Sequence, residues 1–103
     1  MYYILTTVPE VAVFEFEWDD ENLDKIAQRV DPEEIDSMLD ERFITIRNSR
    51  SRTGDYILVG RGKGGRAWAV SIVQTAVRGR WRPINVESPT GVERAQARKA
   101  GIL

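Results

Sequence analysis

The chain has 103 residues with neither cysteine nor histidine, which excludes disulfide frameworks, thiol nucleophiles, imidazole bases and the usual zinc sites. Its length suits one domain, residues 1–103, with a single modest core. The formal net charge of −1 conceals an asymmetry: residues 1–45 carry 13 acidic and three basic groups, and residues 46–103 carry 12 basic and three acidic ones. A domain holding both halves is expected to have an acidic side and a basic side able to meet polyanions, although solvation of both halves gives the same composition. No run approaches the roughly 20 apolar residues of a membrane span, and the start lacks the basic-then-apolar order of a signal peptide, so a cytoplasmic protein without membrane contact is expected.

Residues 1–17 alternate weakly, with Pro9-Glu10 between two segments rich in Val, Ile, Tyr, Thr and Phe. Two short strands joined by a turn are expected there. In "WDDENLDKIAQRV", Leu23, Ile26, Ala27 and Val30 recur at helical spacing behind a cap at Asp19 or Asp20. In "DPEEIDSML", Asp31 offers an N-cap, Pro32 suits the first helical position, and Glu34 stands where a capping box wants a glutamate. Ile35, Met38 and Leu39 would form its buried face.

The period changes after Glu41. "FITIRN", "DYILVGR", "RAWAVSIVQTAV" and "WRPINVE" read as four strands, with turns at "SRSRTG", "GKGG" and "RGR". Such short connections predict an antiparallel meander. "SPTGVERAQARKAG" then gives a C-terminal helix, with Thr90-x-x-Glu93 as a capping box. The expected architecture is α+β: an antiparallel β-sheet with two helices from the N-terminal half and a terminal helix packed on it.

The stretch "LVGRGKGGRAW" interleaves glycines with Arg61, Lys63 and Arg66. It is not a P-loop, because no Ser or Thr follows Lys63 and a strand rather than a helix comes next. A tight hairpin loop explains its glycines, and phosphate binding can be layered on that turn.

"FEWDDENLDKIAQRVDPEEIDSML", "LVGRGKGGRAWAV" and "RPINVESPTGVERAQARK" occur in the order of the three blocks of the BrnT-type toxins, which this chain resembles over about residues 14–98. The resemblance implies a RelE-like fold, ribonuclease activity within a type II toxin–antitoxin pair, RNA as substrate, and a hetero-oligomer with a ribbon-helix-helix antitoxin of BrnA type. It aligns Trp18, Asp19, Asn22, Glu33, Glu34, Gly60, Arg61, Arg82, Ile84, Thr90, Glu93 and Arg94 with family positions. The chain departs from the pattern at Gln28-Arg29-Val30, where the family has Lys-His-Gly-Val, and at Val86-Glu87, where it has Ala-Arg, so the alternative expectation is a catalytically degenerate relative, or a small interaction domain that binds nucleic acid or a protein partner through its basic face. Residues 1–13 would form an extra strand or hairpin outside the resemblance.

Cleavage through a 2′-hydroxyl needs a base, stabilisation of the charge on phosphorus, and an acid for the leaving oxygen. Arginine suits the second task because its planar fork binds two phosphate oxygens. Arg61, Arg66 and Arg82 are candidates that a compact sheet would gather. Glu87 or Glu93 would serve as base if burial raised its pKa, although Glu93 also fits the capping box and Glu87 a solvated strand end. Lys63, Arg66, Arg80 and Arg94 are candidate phosphate contacts, and Trp81, flanked by cations, is a candidate exposed aromatic for base stacking. Trp68 and Trp18 are expected in the core, and turn residues Arg50, Arg52 and Arg78 are suited to nonspecific phosphate attraction. Nothing in the sequence calls for a cofactor or metal.

Overall fold

The computed structural model describes residues 11–48 and 53–103. The strand expected within residues 1–10 and most of the "SRSRTG" turn, residues 49–52, lie outside the described residues. Five strands form one sheet in the order β1-β5-β4-β3-β2: β1 (Glu15–Phe16), β2 (Phe43–Arg47), β3 (Tyr56–Arg61), β4 (Ala67–Gln74) and β5 (Arg80–Glu87). Helices α1 (Asp20–Ala27) and α2 (Pro32–Ser37) precede β2, and α3 (Gly91–Lys99) follows β5.

The meander β2–β5 is antiparallel as expected, but β1 runs parallel to β5, so the sheet is mixed. No hairpin constrains this pair, because most of the chain lies between its strands. The incoming segment is fixed by its own ladder: the amides of Phe14 and Glu15 donate to Gly79 O, and that of Glu17 donates to Trp81 O. The strand expected up to residue 17 shrinks to Glu15–Phe16.

Both sheet faces are covered. On one face, Ile26 of α1 with Ile35 and Met38 of α2 and its 3₁₀ extension pack among Tyr56, Leu58, Trp68, Val70, Ile72, Trp81 and Val86. On the other, Ala97 and Ala100 of α3 pack on Ile44, Ile57, Val59 and Ala69. Strands buried on both sides lose the simple alternation of apolar and polar residues, which explains the continuous runs "YILV" and "AWAVSI".

The caps set where each helix begins. Asp19 accepts from the Asn22 amide, and the Asn22 side chain accepts from the Asp19 amide, a reciprocal box that starts α1. Asp31 accepts from the Glu33 amide with Pro32 in the first turn of α2. Glu34 does not complete a box there; its carboxylate reaches the β3–β4 loop instead. In α3, Thr90 and Glu93 form the expected box. Among the described residues no helix is long and apolar enough to cross a membrane.

Candidate nucleic-acid interface

The β3–β4 hairpin is closed by Gly62 N–H donating to Arg66 O and Gly65 N–H donating to Gly62 O, with Gly65 at φ +88°. A three-residue loop with its last residue in the left-handed region needs glycine at that point. Gly62 and Gly64 have a different reason. A β-carbon on Gly62 would fall on the Glu34 carboxylate and within 2.8 Å of the Glu34 carbonyl oxygen, and one on Gly64 would lie 3.2 Å from Glu34 Oε2. The loop is therefore shaped around α2. Gly64 N–H donates to both Glu34 carboxylate oxygens at 3.1 and 3.2 Å, Lys63 N–H donates to Ser37 Oγ at 2.8 Å, and Lys63 Nζ lies 3.7 Å from Glu33.

The stem arginines diverge. Arg61 continues the alternation of Ile57 and Val59 onto the α3 face, where its guanidinium donates to Gly65 O at 2.6 Å. Arg66 precedes Ala67 and shares the α2 face with Trp68, lying 4.3 Å above the indole and donating to Ser88 Oγ at 3.1 Å. This cation–π cover and the 7% exposure of Trp68 place that indole in the core, as expected. Trp18 is half-buried; its indole N–H donates to Asp36 Oδ1 at 2.9 Å and its ring packs edge-on against Phe16.

Arg82 is far from both stem arginines. Arg61 pairs with Ala67 and Arg82 with Val73 of the same strand, and six residues at ~3.3 Å each separate them by about 20 Å along the sheet. The expected gathering of Arg61, Arg66 and Arg82 does not occur, because β3 enters the hairpin where β5 ends rather than where it begins. A bulge also decides where Arg82 faces: Pro83 pairs with Ile72 and Asn85 with Ser71, so Ile84 is the extra residue. Trp81, Pro83 and Val86 consequently turn inward while Arg82 does not.

Arg82 is engaged by carboxylates. Its Nε lies 2.7 Å from Asp19 Oδ2, and its terminal nitrogen lies 3.2 Å from Asp19 Oδ1 and 2.9 Å from Glu21 Oε1. The Arg82 hydrogen bond, followed by the Asn22 amide, holds the Asp19 carboxyl at about 2, below its ordinary 3.8. The Asp19 contact in turn raises the Arg82 pKa. Arg80 lies 3.4 Å from Glu17 and 3.9 Å from Glu15. The expected exposed aromatic, Trp81, is only 5% exposed; its indole N–H donates to Ala12 O and its ring meets Tyr56 edge-on. Its face is dictated by the bulge, not by the cations beside it in sequence.

Of the carboxylates considered as bases, Glu93 is buried in the α3 capping box, and Glu87, half-buried at the end of β5, accepts from the Asn85 side chain. Glu87 pairs with Ala69 and Arg61 with Ala67, so these two candidates share a face and one end of the sheet. Arg94 is partly exposed in the first turn of α3.

Sequence reasoning missed the companions of Arg61. Because Phe43 pairs with Gly60, Arg42 stands level with Arg61 at the end of the neighbouring strand. Arg42 donates to Ala100 O at 3.1 Å, which brings the C-terminus of α3, with Arg98 and Lys99, to the same place. All four side chains are exposed, and none forms an ion pair with a carboxylate of the described residues. The sequence signal was present but local: Arg42 opens a predicted strand, and cations end a predicted helix, where they also suit the helix dipole. No protein-family model, curated protein or solved structure matches the chain.

Proposed function

We propose that this chain is a BrnT-like domain with a RelE-like fold that binds single-stranded RNA through the basic pole formed by Arg42, Arg61, Arg98 and Lys99, without cleaving it through an Arg61–Arg82 centre. One observation carries this reading: Arg61 and Arg82 stand about 20 Å apart along the sheet, and Arg82 is neutralised by Asp19 and Glu21 while Arg61 pairs with no carboxylate of the described residues. Cations without carboxylate partners can neutralise backbone phosphates and release counterions, a sequence-independent source of affinity. With Trp81 in the core, this grip rests on phosphates rather than on a Trp81 stack.

The second reading is an active ribonuclease toxin held by a BrnA-like ribbon-helix-helix antitoxin. It is favoured by Arg61 and Glu87 occupying one face at one end of the sheet, where a cation and a carboxylate can act on one phosphate. Incubating the purified protein with labelled single-stranded RNA separates the two. Binding without cleavage, weakened in an Arg61→Ala/Arg98→Ala variant, is the expected result. Cleavage that disappears in Arg61→Ala, together with growth arrest on induction, would establish the toxin reading, and absence of RNA binding would overturn the first.

A further inference from the structure

We infer that the Lys63–Gly65 loop is an oxyanion site whose resident ligand is the protein's own Glu34 carboxylate, and that a phosphate group enters it only when α2 releases that side chain. This rests on the proposed RNA-binding reading and adds a second, gated phosphate position to the open basic pole.

The glycine pattern identifies the site. Only Gly65 of the loop has positive φ, and a β-carbon there would meet nothing within 4 Å. Gly62 and Gly64 need no unusual backbone torsion; what their missing β-carbons admit is the Glu34 carboxylate and, at Gly62, the Glu34 carbonyl oxygen as well. Anionic oxygens are what a turn with outward amides binds, and carboxylate and phosphate present them alike to an N–H donor. The Gly64 amide is already aimed at such oxygens, and the Lys63 amide points at Ser37 Oγ. Ser37 is itself fixed by donating to Glu34 O at 2.6 Å. The Lys63 ammonium, 61% exposed, stands beside the same helix.

Withdrawal of the Glu34 carboxylate would free the Gly64 amide for a phosphate, with the Lys63 amide still on Ser37 Oγ and the Lys63 ammonium, 3.7 Å from Glu33, beside it. Withdrawal requires only movement of side chains at the solvent-facing side of α2, since Glu34 is partly exposed while neighbouring Ile35 stays fully buried. A tethered competitor acts at high effective concentration. If the clasp is open about a tenth of the time, the apparent affinity for an external anion falls about tenfold.

The test follows the Gly64 and Lys63 amide resonances while inorganic phosphate is titrated at constant ionic strength into the intact protein and into Glu34→Ala and Glu34→Gln variants. Saturable shifts at the Gly64 amide, with a midpoint about tenfold lower in Glu34→Ala than in the intact protein, are expected, and the neighbouring Lys63 amide should follow them. Glu34→Gln, which keeps the shape and removes the charge, should fall between them and provides the reading if Glu34→Ala does not fold. Unmoved amides in the folded variants, or equal midpoints in variant and intact protein, would overturn the inference and leave a purely structural clasp. A second titration with a short single-stranded RNA distinguishes free phosphate from backbone phosphate as the source. RNA binding at the basic pole with the Gly64 amide unmoved in the variants by phosphate and by RNA alike would defeat the gated site alone, whereas absence of RNA binding alongside a phosphate response would defeat the RNA reading alone.

Discussion

At one end of the sheet Arg80 and Arg82 face Glu15, Glu17, Asp19 and Glu21 across ion pairs, while at the other Arg42 and Arg61 donate to the carbonyl oxygens of Ala100 and Gly65, form no ion pair with a carboxylate of the described residues, and stand beside Arg98 and Lys99. The same side chain at the end of a strand thus has two roles, decided by what the topology brings alongside. Where the acidic start of α1 packs against β5, arginine joins distant segments. Where α3 brings its cationic C-terminus to β2, the charge remains available to a ligand. Charge asymmetry along the chain is consequently not the asymmetry of the surface, because among the described residues Lys63, Arg80 and Arg82 of the basic half are paired with carboxylates of the acidic half.

The sharpest way to break this contrast is at Trp81, which lies among the cations of the neutralised end. Replacing it with Ala removes a ring that is 5% exposed and packed on Tyr56, so Trp81→Ala should lose about 3–5 kcal/mol of stability in urea unfolding. Where the variant remains folded, its affinity for RNA should be unchanged. A variant of native stability with weakened RNA binding would instead place Trp81 in a ligand site.

Asn22 is the next largest. Its side-chain amide donates to Glu17 O and Pro83 O at 2.9 Å each, joining the approach to α1 with the bulged strand, and it is 2% exposed. Asn22→Ala leaves buried carbonyls without a donor and removes half of the α1 capping box, so a loss of about 1–3 kcal/mol is expected by the same measurement. The loss should be confined to stability, leaving the salt dependence of RNA binding intact.

Much of the fold was legible because its signals are local. Asp31-Pro32 and Thr90-x-x-Glu93 marked helix starts, and the apolar runs from Phe43 to Glu87 marked four strands. The site was less legible because it depends on register and on contacts between distant segments. Arg82 and Asp19 lie 63 residues apart in the chain, and Glu34 and Gly64 lie 30 apart. Glu34 satisfied a capping pattern in sequence and was claimed by a loop in space. The extra residue Ile84 determined that Trp81 faces inward and Arg82 does not. That α3 would cover the opposite face from α1 and α2 left its trace in the uninterrupted apolar strands, which were readable as doubly buried.

The Arg82 ion pair should be visible in the acid limb of stability. The folded protein keeps Asp19 ionised down to about 2, whereas the unfolded chain takes up the proton near 3.8. The contribution is therefore complete above that higher value, fades as pH falls between the two, and is absent below both. Arg82→Gln should flatten the corresponding part of a stability-versus-pH curve and leave the neutral region less altered than Asn22→Ala does. An unchanged acid limb would show that the pair is already broken in solution.

The basic pole should be nearly silent in stability and clear in binding. Arg61→Ala, Arg98→Ala and Lys99→Ala remove exposed cations that pair with no carboxylate of the described residues, so each should alter unfolding free energy by no more than about 0.5 kcal/mol. For every phosphate that is no longer neutralised, the slope of log affinity against log salt for single-stranded RNA should fall by about 0.7. Arg80→Ala, at the other end, provides the comparison: its charge is already opposed by Glu15 and Glu17, and its removal should leave that slope unchanged. Equal slope changes from Arg61→Ala and Arg80→Ala would mean that RNA responds to total charge, removing the distinction between a neutralised and an open end. A change confined to Arg61, Arg98 and Lys99 would locate the nucleic acid along the α3 end of the sheet, because an ion pair that must first be broken offsets what a phosphate gains from it.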